Sequence, residues 1–281
     1  MNISNKALIV NLKISQWTGR KLDRQATDAV EHDFKTAGRV GNYTKKLLPK
    51  SAELERVARL VSAMRAYFYE QTLPWYSDGS RIISSKAYLE FTQEFGKRKR
   101  EFEDAVNAFL NNYDRLQRNA EATLGDLYRA QDYPTKERLR QCFDCEIAFF
   151  PVPDVSDFRT EVSEVEKEAF RKAIRETEAA AVSECYKRLH GVISRATEKL
   201  SDPNAVFRDS LIQNIKDLCK LLPKLNVTED LELEAMRTEV EAVIQRTSAE
   251  HCRSNPDARK QTAEALKDSM ARMRSAMGGG S

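Results

Sequence analysis

The chain is poor in residues that interrupt helices and in histidine, a common catalytic residue. Its 281 residues include only 10 glycines and 8 prolines, which fits a helical protein better than a turn-rich β-sandwich. Only three histidines occur, and none lies near a serine or cysteine in a nucleophile motif, so triad-type hydrolysis is unsupported. No glycine-rich phosphate-binding loop occurs either. We therefore expect a protein that is not an enzyme and that uses no cofactor.

Long apolar runs are also missing. No stretch of about 18 apolar residues occurs, so no transmembrane helix is predicted. The N-terminal residues lack the layout of a signal peptide. Five cysteines, an odd number, argue against a disulfide framework and for a reducing compartment. The predicted location is the cytoplasm, with no membrane partner.

Cys142 and Cys145 form a lone C-x-x-C pair. A structural zinc ion needs four ligands, and the other cysteines and histidines are scattered. A redox role needs a thiol of low pKa, commonly at a helix N-terminus, whereas this pair is predicted at a helix-to-strand junction. Structural thiols are therefore favoured over a metal or redox site, and no metal ligand is predicted.

A strong helical periodicity is the clearest positive feature. Apolar side chains recur every seven residues at Tyr88, Phe95, Phe102, Phe109 and Leu116. This spacing places them on one face of a helix over about 84–124, and a second apolar stripe predicts another long helix over about 163–200. We expect the two to pack as an antiparallel, coiled-coil-like hairpin in an elongated protein.

Shorter elements are predicted around these helices. Alternating apolar residues over 7–14 indicate a strand with one buried side, and residues 145–150, with 158–162, could join it in a small sheet. Further helices are predicted over 22–34, 51–72, 135–142, 206–222, 230–246 and 257–276, and residues 37–50 are predicted to form a loop or a short helical turn. Pro223 and Pro256 are interpreted as breaks between helices. The predicted fold class is mainly α with a small β element (α+β).

Two regions are predicted along the chain. Residues 1–162 would hold the strand, the small β element and the first long helix, and residues 163–277 would form a C-terminal helical region. Residues 278–281, Gly-Gly-Gly-Ser, resemble a linker left by cloning.

Charge is unevenly distributed along the chain. The net charge is +3, but residues 1–100 hold 19 Lys/Arg against 10 Asp/Glu, whereas residues 101–250 hold 21 against 30. The basic part could bind a polyanion, or it could face the acidic part within one molecule or between copies. The second interpretation is favoured, and with it self-association.

The basic, glycine-containing segment 39–50 is the best candidate for contacting nucleic acid, because it combines cations with a tyrosine that could stack on a base. A surface loop facing an acidic helix is the plainer alternative. Lys45 and Lys46 are both expected on the surface. The two tryptophans either fill the core, which is favoured, or anchor a partner. The candidate contact residues are Trp17, Arg20, Arg39, Asn42, Tyr43, Lys45, Lys46, Lys50, Trp75 and Arg81.

Short motifs run through the chain in a fixed order: Leu-Ile-Val-Asn-Leu (8–12), Gln-Trp-Thr-Gly-Arg-Lys-Leu (16–22), Gly-Asn-Tyr (41–43), Tyr-Glu-Gln-Thr-Leu-Pro-Trp (69–75), Phe149, Pro-Val-Pro (151–153), Asp-Phe-Arg (157–159) and Leu-Asn-Val-Thr (225–228). Over about 7–245 they resemble a phage and prophage family known as a domain of unknown function (family 3150). The resemblance implies no activity. It implies genes sometimes found beside a MoxR-type AAA+ ATPase and a von Willebrand A-type protein, and hence a partner or client of a remodelling machine in the bacterial host cytoplasm.

The leading hypothesis is a non-enzymatic, phage-type helical interaction or assembly protein that is homo-oligomeric. Its partners would be a second copy of itself and an AAA+ ATPase or another phage or host protein. The alternative is a nucleic-acid-binding accessory protein that uses its basic first hundred residues.

Overall fold

A computed structural model of the protein describes residues 3–76, 79–154 and 163–278, with the side chains of 275–278 left out. Within these ranges the chain is mainly helical with a small antiparallel sheet, as predicted. The candidate strand at 158–162 and the last residues of the Gly-Gly-Gly-Ser tail lie outside the described residues.

The secondary-structure elements follow the predicted order closely. The helices are α1 (Arg24–Asp33), α2 (Ala52–Gln71), α3 (Tyr88–Leu124), α4 (Lys136–Gln141), α5 (Glu164–Ser201), α6 (Ser210–Leu225), α7 (Leu231–Gln245), α8 (Ala249–Ser254) and α9 (Pro256–Gly278). The strands are β1 (Ala7–Ser15), β2 (Arg20–Leu22), β3 (Thr44–Lys46), β4 (Leu73–Pro74), β5 (Arg81–Ser84) and β6 (Asp144–Pro151).

The chain forms two compact units. Unit 1 comprises Met1–Asn11, Tyr69–Phe91 and Ala148–Ser281, and unit 2 comprises Leu12–Phe68 and Thr92–Ile147. This division differs from the sequence-based boundary at 162/163. The reason is that strand pairing joins segments far apart in the sequence, so that two long excursions of the chain form unit 2.

The larger sheet has the strand order β4-β5-β1-β6. In unit 1, β1 pairs antiparallel with β5, and Ala7 lies opposite Ser84 in the register. The predicted association of residues 7–14 with 145–150 is confirmed, because β6 is the neighbour of β1.

The helices of unit 1 enclose its main apolar core. The helix α5 packs against α9, α6 and α7, and Leu189, Ile193 and Ile215 are fully buried in the cluster that they share. These contacts do not confirm the hairpin of the two long helices, α3 and α5, which stays a prediction.

Local chemistry explains where these helices begin and end. Ser163 and Glu166 form a capping box that starts α5, and Asp230 caps α7 by accepting a hydrogen bond from the Leu233 amide at 2.7 Å. Pro256 occupies the first turn of α9, where its missing N–H costs nothing. Pro223, interpreted as a break, instead lies inside α6. Its missing N–H removes the hydrogen bond to the Cys219 carbonyl, and α6 ends two residues later at Leu225.

Unit 2 buries the apolar stripe of α3. Phe95, Phe102, Phe109 and Leu116 are all buried, as the seven-residue spacing predicts. The fifth member of the stripe, Tyr88, belongs to unit 1, where its ring packs edge-on against Phe149 at 4.9 Å and stays partly exposed.

A two-stranded ribbon within 20–46 was missed in the sequence. β2 and β3 pair antiparallel, with Arg20 opposite Lys46 and Lys21 opposite Lys45, so residues 37–50 contain a strand as well as a loop. Gly19 precedes the ribbon with a φ of +64°, and a Cβ there would lie 2.8 Å from Leu54 Cδ2. Glycine is required at this turn because both the backbone conformation and the space exclude a side chain.

Candidate interaction surface

Lys45 is a buried structural residue, which corrects its predicted place on the surface. Its side chain is 2% exposed and its ammonium lies 2.7 Å from carboxylate oxygens of both Asp23 and Asp132. It also donates a hydrogen bond to the Leu127 carbonyl at 2.6 Å. We call Lys45, Asp23 and Asp132 the buried ion cluster. It holds β3 against the start of α1 and the segment after α3, and it cannot contact a polyanion.

The pKa values of the buried ion cluster favour its charged forms. The hydrogen bond from Lys45 lowers the pKa of Asp23, with help from the Ala26 amide. Burial alone would raise the pKa of Asp132, but hydrogen bonds from Lys21 and Lys45 outweigh it and lower that pKa. Burial likewise opposes the charge on Lys45, but its bonds to Asp132 and Asp23 raise its pKa overall. All three groups are therefore ionised at neutral pH.

Arg81 and the two tryptophans also have structural roles. Arg81 donates to the Thr72 carbonyl at 2.7 Å and to the Thr72 hydroxyl at 2.6 Å, at the C-terminus of α2. Trp75 is buried in the core of unit 1. Trp17 is half-buried against Phe109, with the ring centroids 6.1 Å apart. These contacts agree with the favoured interpretation that the tryptophans fill the core.

Arg20 and Lys46 are the cations that remain available on the ribbon. They lie opposite each other on the face that points away from Lys45, and both are exposed. Lys50, just beyond β3, is exposed as well. Within the described part of the chain, none of these three has an acidic partner, so unit 2 presents uncompensated positive charge here.

The loop that follows α1 is fastened to that helix. Arg39 lies 3.1 Å from Asp28 and 4.0 Å from Glu31, and the Val40 amide donates to the Glu31 carboxylate at 3.2 Å. The Tyr43 amide donates to the Thr27 hydroxyl at 2.9 Å. Arg39 is thus paired and positions the loop.

This loop and α1 expose a group of large apolar side chains. Phe34 is 78% exposed and Val40 is 75% exposed, and Val30 and Tyr43 are also exposed. The four line one concavity of about 480 Å³, together with Asn42 and Thr36. We call Val30, Phe34, Val40 and Tyr43 the α1 surface. Because the loop is held by hydrogen bonds, the α1 surface is a preformed apolar site.

Catalytic or metal chemistry has no comparable support. Among the described residues, no three side chains of His, Cys, Asp or Glu are grouped to hold a metal ion. Cys142 is half-buried, and burial raises the pKa of the Cys145 thiol to about 11, so that thiol is protonated at neutral pH. No helix in the described ranges combines the length and apolarity of a membrane span.

Comparison with known proteins gives no further guide. No protein-family model matches the chain, and no similar curated protein or solved structure was found. The resemblance to the phage family therefore stays a prediction.

Sequence reasoning identified part of this surface and missed its centre. Asn42 and Tyr43 line the concavity, as members of the candidate segment. Val30, Phe34 and Val40 were not singled out. A signal did exist, because Val30 and Phe34 are spaced i, i+4 in the helix predicted over 22–34; in the structure α1 ends at Asp33, Phe34 is its C-cap, and only Thr27 of the helix is buried. An apolar pair on a short helix without a buried face indicates a contact beyond that helix.

Proposed function

We propose that this protein is a non-enzymatic interaction and assembly protein that self-associates through the α1 surface. The single observation that carries the proposal is the exposure of Phe34 and Val40 beside one preformed concavity. Large apolar patches on a folded surface mark interaction sites, and aromatic anchors in concave sites contribute most of the binding energy.

The charge distribution supports self-association in particular. The α1 surface lies in the basic first hundred residues, while residues 101–250 carry an excess of nine acidic groups. A contact between the basic part of one copy and the acidic part of another would be favoured by charge. An AAA+ remodelling ATPase and a phage-type role in the host cytoplasm belong to the same proposal, and they rest on the sequence resemblance. The α3–α5 hairpin stays a prediction, and the proposal does not depend on it.

Sedimentation velocity tests the proposal. At low salt and rising protein concentration, the wild type should shift to faster-sedimenting species. The double variant Phe34→Ser/Val40→Ser should remain monomeric, because both anchors of the α1 surface are lost. Association of the wild type should also weaken with salt.

Val206→Ser is the matched control, since Val206 is exposed but lies in unit 1. That variant should associate like the wild type. A wild type that is monomeric at low salt, or a Phe34→Ser/Val40→Ser variant that still associates, would contradict the proposal.

Nucleic-acid binding is the second candidate, and a specific observation favours it. Arg20 and Lys46 form an exposed cationic pair on the ribbon, and the exposed Tyr43 directly precedes β3, so one segment carries both the cations for phosphate contact and an aromatic ring for base stacking. The burial of Lys45 and the pairing of Arg39 weigh against nucleic-acid binding, since two of the cations expected to contact phosphates are already paired with carboxylates of the same molecule.

Fluorescence anisotropy with a labelled single-stranded oligonucleotide separates the two candidates. If nucleic acid binds, Arg20→Glu/Lys46→Glu should abolish binding, and the affinity of the wild type should fall steeply with salt. Lys45→Glu is unsuitable as a test because it would place a third carboxylate in the buried ion cluster. We expect no sub-micromolar binding at physiological salt.

A further inference from the structure

We infer that Glu31 is the positioning residue of the α1 surface, because it holds Val40 at the same concavity as Phe34 and so keeps the two halves of that surface together. The inference rests on the proposed function and names the group on which the affinity for a second copy depends. All of the residues involved lie within unit 2.

The two halves of the α1 surface come from different parts of the chain. Val30 lies in α1 and Phe34 is its C-cap, so the helix itself places both of these side chains. Val40 and Tyr43 lie in the connection between α1 and β3, and their positions depend on the contacts that fasten this loop. The concavity therefore exists only while the loop stays against the helix.

Glu31 fastens the loop twice. Its backbone carbonyl accepts a hydrogen bond from the Thr36 amide at 3.1 Å, and its carboxylate Oε1 accepts one from the Val40 amide at 3.2 Å. The Tyr43 amide is held separately by the Thr27 hydroxyl at 2.9 Å. Because Thr27 and Glu31 are spaced i, i+4, they share one side of α1, and the loop returns along that side.

The backbone at the end of α1 directs the loop toward Glu31. The Lys35 amide donates to the His32 carbonyl at 3.1 Å, and Lys35 has a φ of +50°. Together with the bond from Thr36 to Glu31, this is the pattern of a Schellman motif. Glycine usually occupies the left-handed position, so a lysine there is strained and depends on the hydrogen bonds around it.

Arg39 contributes less to this arrangement than the Glu31 carboxylate. Arg39 lies 3.1 Å from Asp28, but these two side chains are 53% and 64% exposed. Ion pairs as exposed as this one contribute little. The Glu31 side chain is only 20% exposed, so its hydrogen bond with the Val40 amide is better shielded from water. The carboxylate therefore decides where Val40 lies.

Glu31→Leu separates a positioning role from simple lining of the concavity. If Glu31 only lined the concavity, leucine would add apolar area and strengthen association. We expect association to be at least tenfold weaker instead, because Val40 is no longer held in place. Sedimentation velocity of full-length chains measures the effect, and circular dichroism verifies folding.

Two companion variants control this comparison. Glu31→Gln keeps an acceptor oxygen for the Val40 amide and should stay within about threefold of the wild-type affinity. Asp33→Leu makes the same change at an exposed position of α1 that points away from Glu31, and it should associate like the wild type. A Glu31→Gln variant as weak as Glu31→Leu would overturn the inference.

A double-mutant cycle tests whether Glu31 acts through Val40. Once Val40 is replaced, the loss of Glu31 should cost little more, so Glu31→Leu/Val40→Ser should stay within about twofold of Val40→Ser alone. Fully additive losses would overturn the inference. At the turn, Lys35→Gly should associate more tightly than Lys35→Val, because a β-branched side chain opposes the left-handed conformation. The reverse order would also overturn it.

Hydrogen exchange supplies a readout that does not need association. Below the concentration at which the wild type associates, the Val40 amide should exchange at least tenfold faster in Glu31→Leu than in the wild type, as measured by NMR. Equal exchange in the two proteins would overturn the inference.

The outcomes distinguish the inference from the proposed function. If Glu31→Leu associates as tightly as the wild type, or more tightly, while Phe34→Ser/Val40→Ser remains monomeric, the inference is wrong and the proposed function stands. If the wild type is monomeric, or if Phe34→Ser/Val40→Ser associates normally, both are wrong.

Discussion

Lys45 and Lys46 are neighbours in the sequence but belong to different environments. In an antiparallel ribbon, successive side chains point to opposite faces. Lys45 therefore points into the buried ion cluster, while Lys46 faces outward beside Arg20. A lysine that is nearly inaccessible to solvent is tolerated only because two carboxylates and a carbonyl receive its ammonium.

Lys45→Met should strongly destabilise the protein. The substitution keeps the volume but leaves Asp23 and Asp132 as buried carboxylates without their shared cation. Breaking a buried pair on one side typically costs about 3–5 kcal/mol. Urea unfolding measures the loss, and Lys46→Met is the matched control, which should stay within about 0.5 kcal/mol of the wild type. Equal stability of the two variants would show that the buried ion cluster contributes nothing.

The pH dependence of stability should also differ between the wild type and Lys45→Met. Both aspartates have a folded pKa below the ordinary value of 3.8, so their stabilisation is present above that pH and is lost as pH falls through the folded values. In Lys45→Met burial should instead raise their pKa values, so lowering the pH relieves the destabilisation. The gap in unfolding free energy should therefore be widest near neutrality and narrow in acid. A gap that stays constant from pH 7 to pH 4 would contradict this account.

The sequence could not reveal the environment of Lys45. The strand β3 has three residues, too few for a recognisable alternation, and Asp132 is far away along the chain. The segment 39–50 therefore resembled a solvated basic loop. Only the fold shows which of its cations form ion pairs within the molecule and which are exposed without an acidic partner.

Long elements were predictable because their periodicity is repeated many times. α3 and α5 have 37 and 38 residues, and each lies within a few residues of its expected bounds. Elements of only a few residues could not be predicted in this way, and β2, β3 and α8 were all missed. A short element is stabilised by contacts with other segments, and a linear pattern does not contain those contacts.

Phe102→Asp should destabilise the protein by at least about 4 kcal/mol, since it removes a buried aromatic ring and introduces a charge into the core of unit 2. Ala108→Asp is the matched control on the same helix, because Ala108 is exposed. Thermal and urea unfolding should separate the two variants clearly. Similar curves would mean that the apolar stripe of α3 is not buried.

For the whole molecule, charge asymmetry was visible in the sequence but the two units were not. The chain passes between units 1 and 2 within β1, α2, α3 and β6, each of which contributes residues to both. A boundary placed between consecutive segments could not describe this arrangement. Its consequence is that no unit can unfold without disrupting an element that the other unit shares.

The two tryptophans allow this consequence to be measured, because Trp17 belongs to unit 2 and Trp75 to unit 1. In Trp75→Phe only Trp17 reports, and in Trp17→Phe only Trp75 reports. The strands β1 and β6 are divided between the units near their middles, and α2 and α3 each contribute a terminal turn to unit 1 and the rest to unit 2. Because a divided strand cannot lose one half without weakening the other, we expect one cooperative transition. After correction for the small stability effect of each substitution, measured by circular dichroism, the fluorescence midpoints in urea should coincide with the loss of helix signal. Separate midpoints for Trp17 and Trp75, with a plateau between them in the helix signal, would show instead that the units unfold independently despite the elements they share.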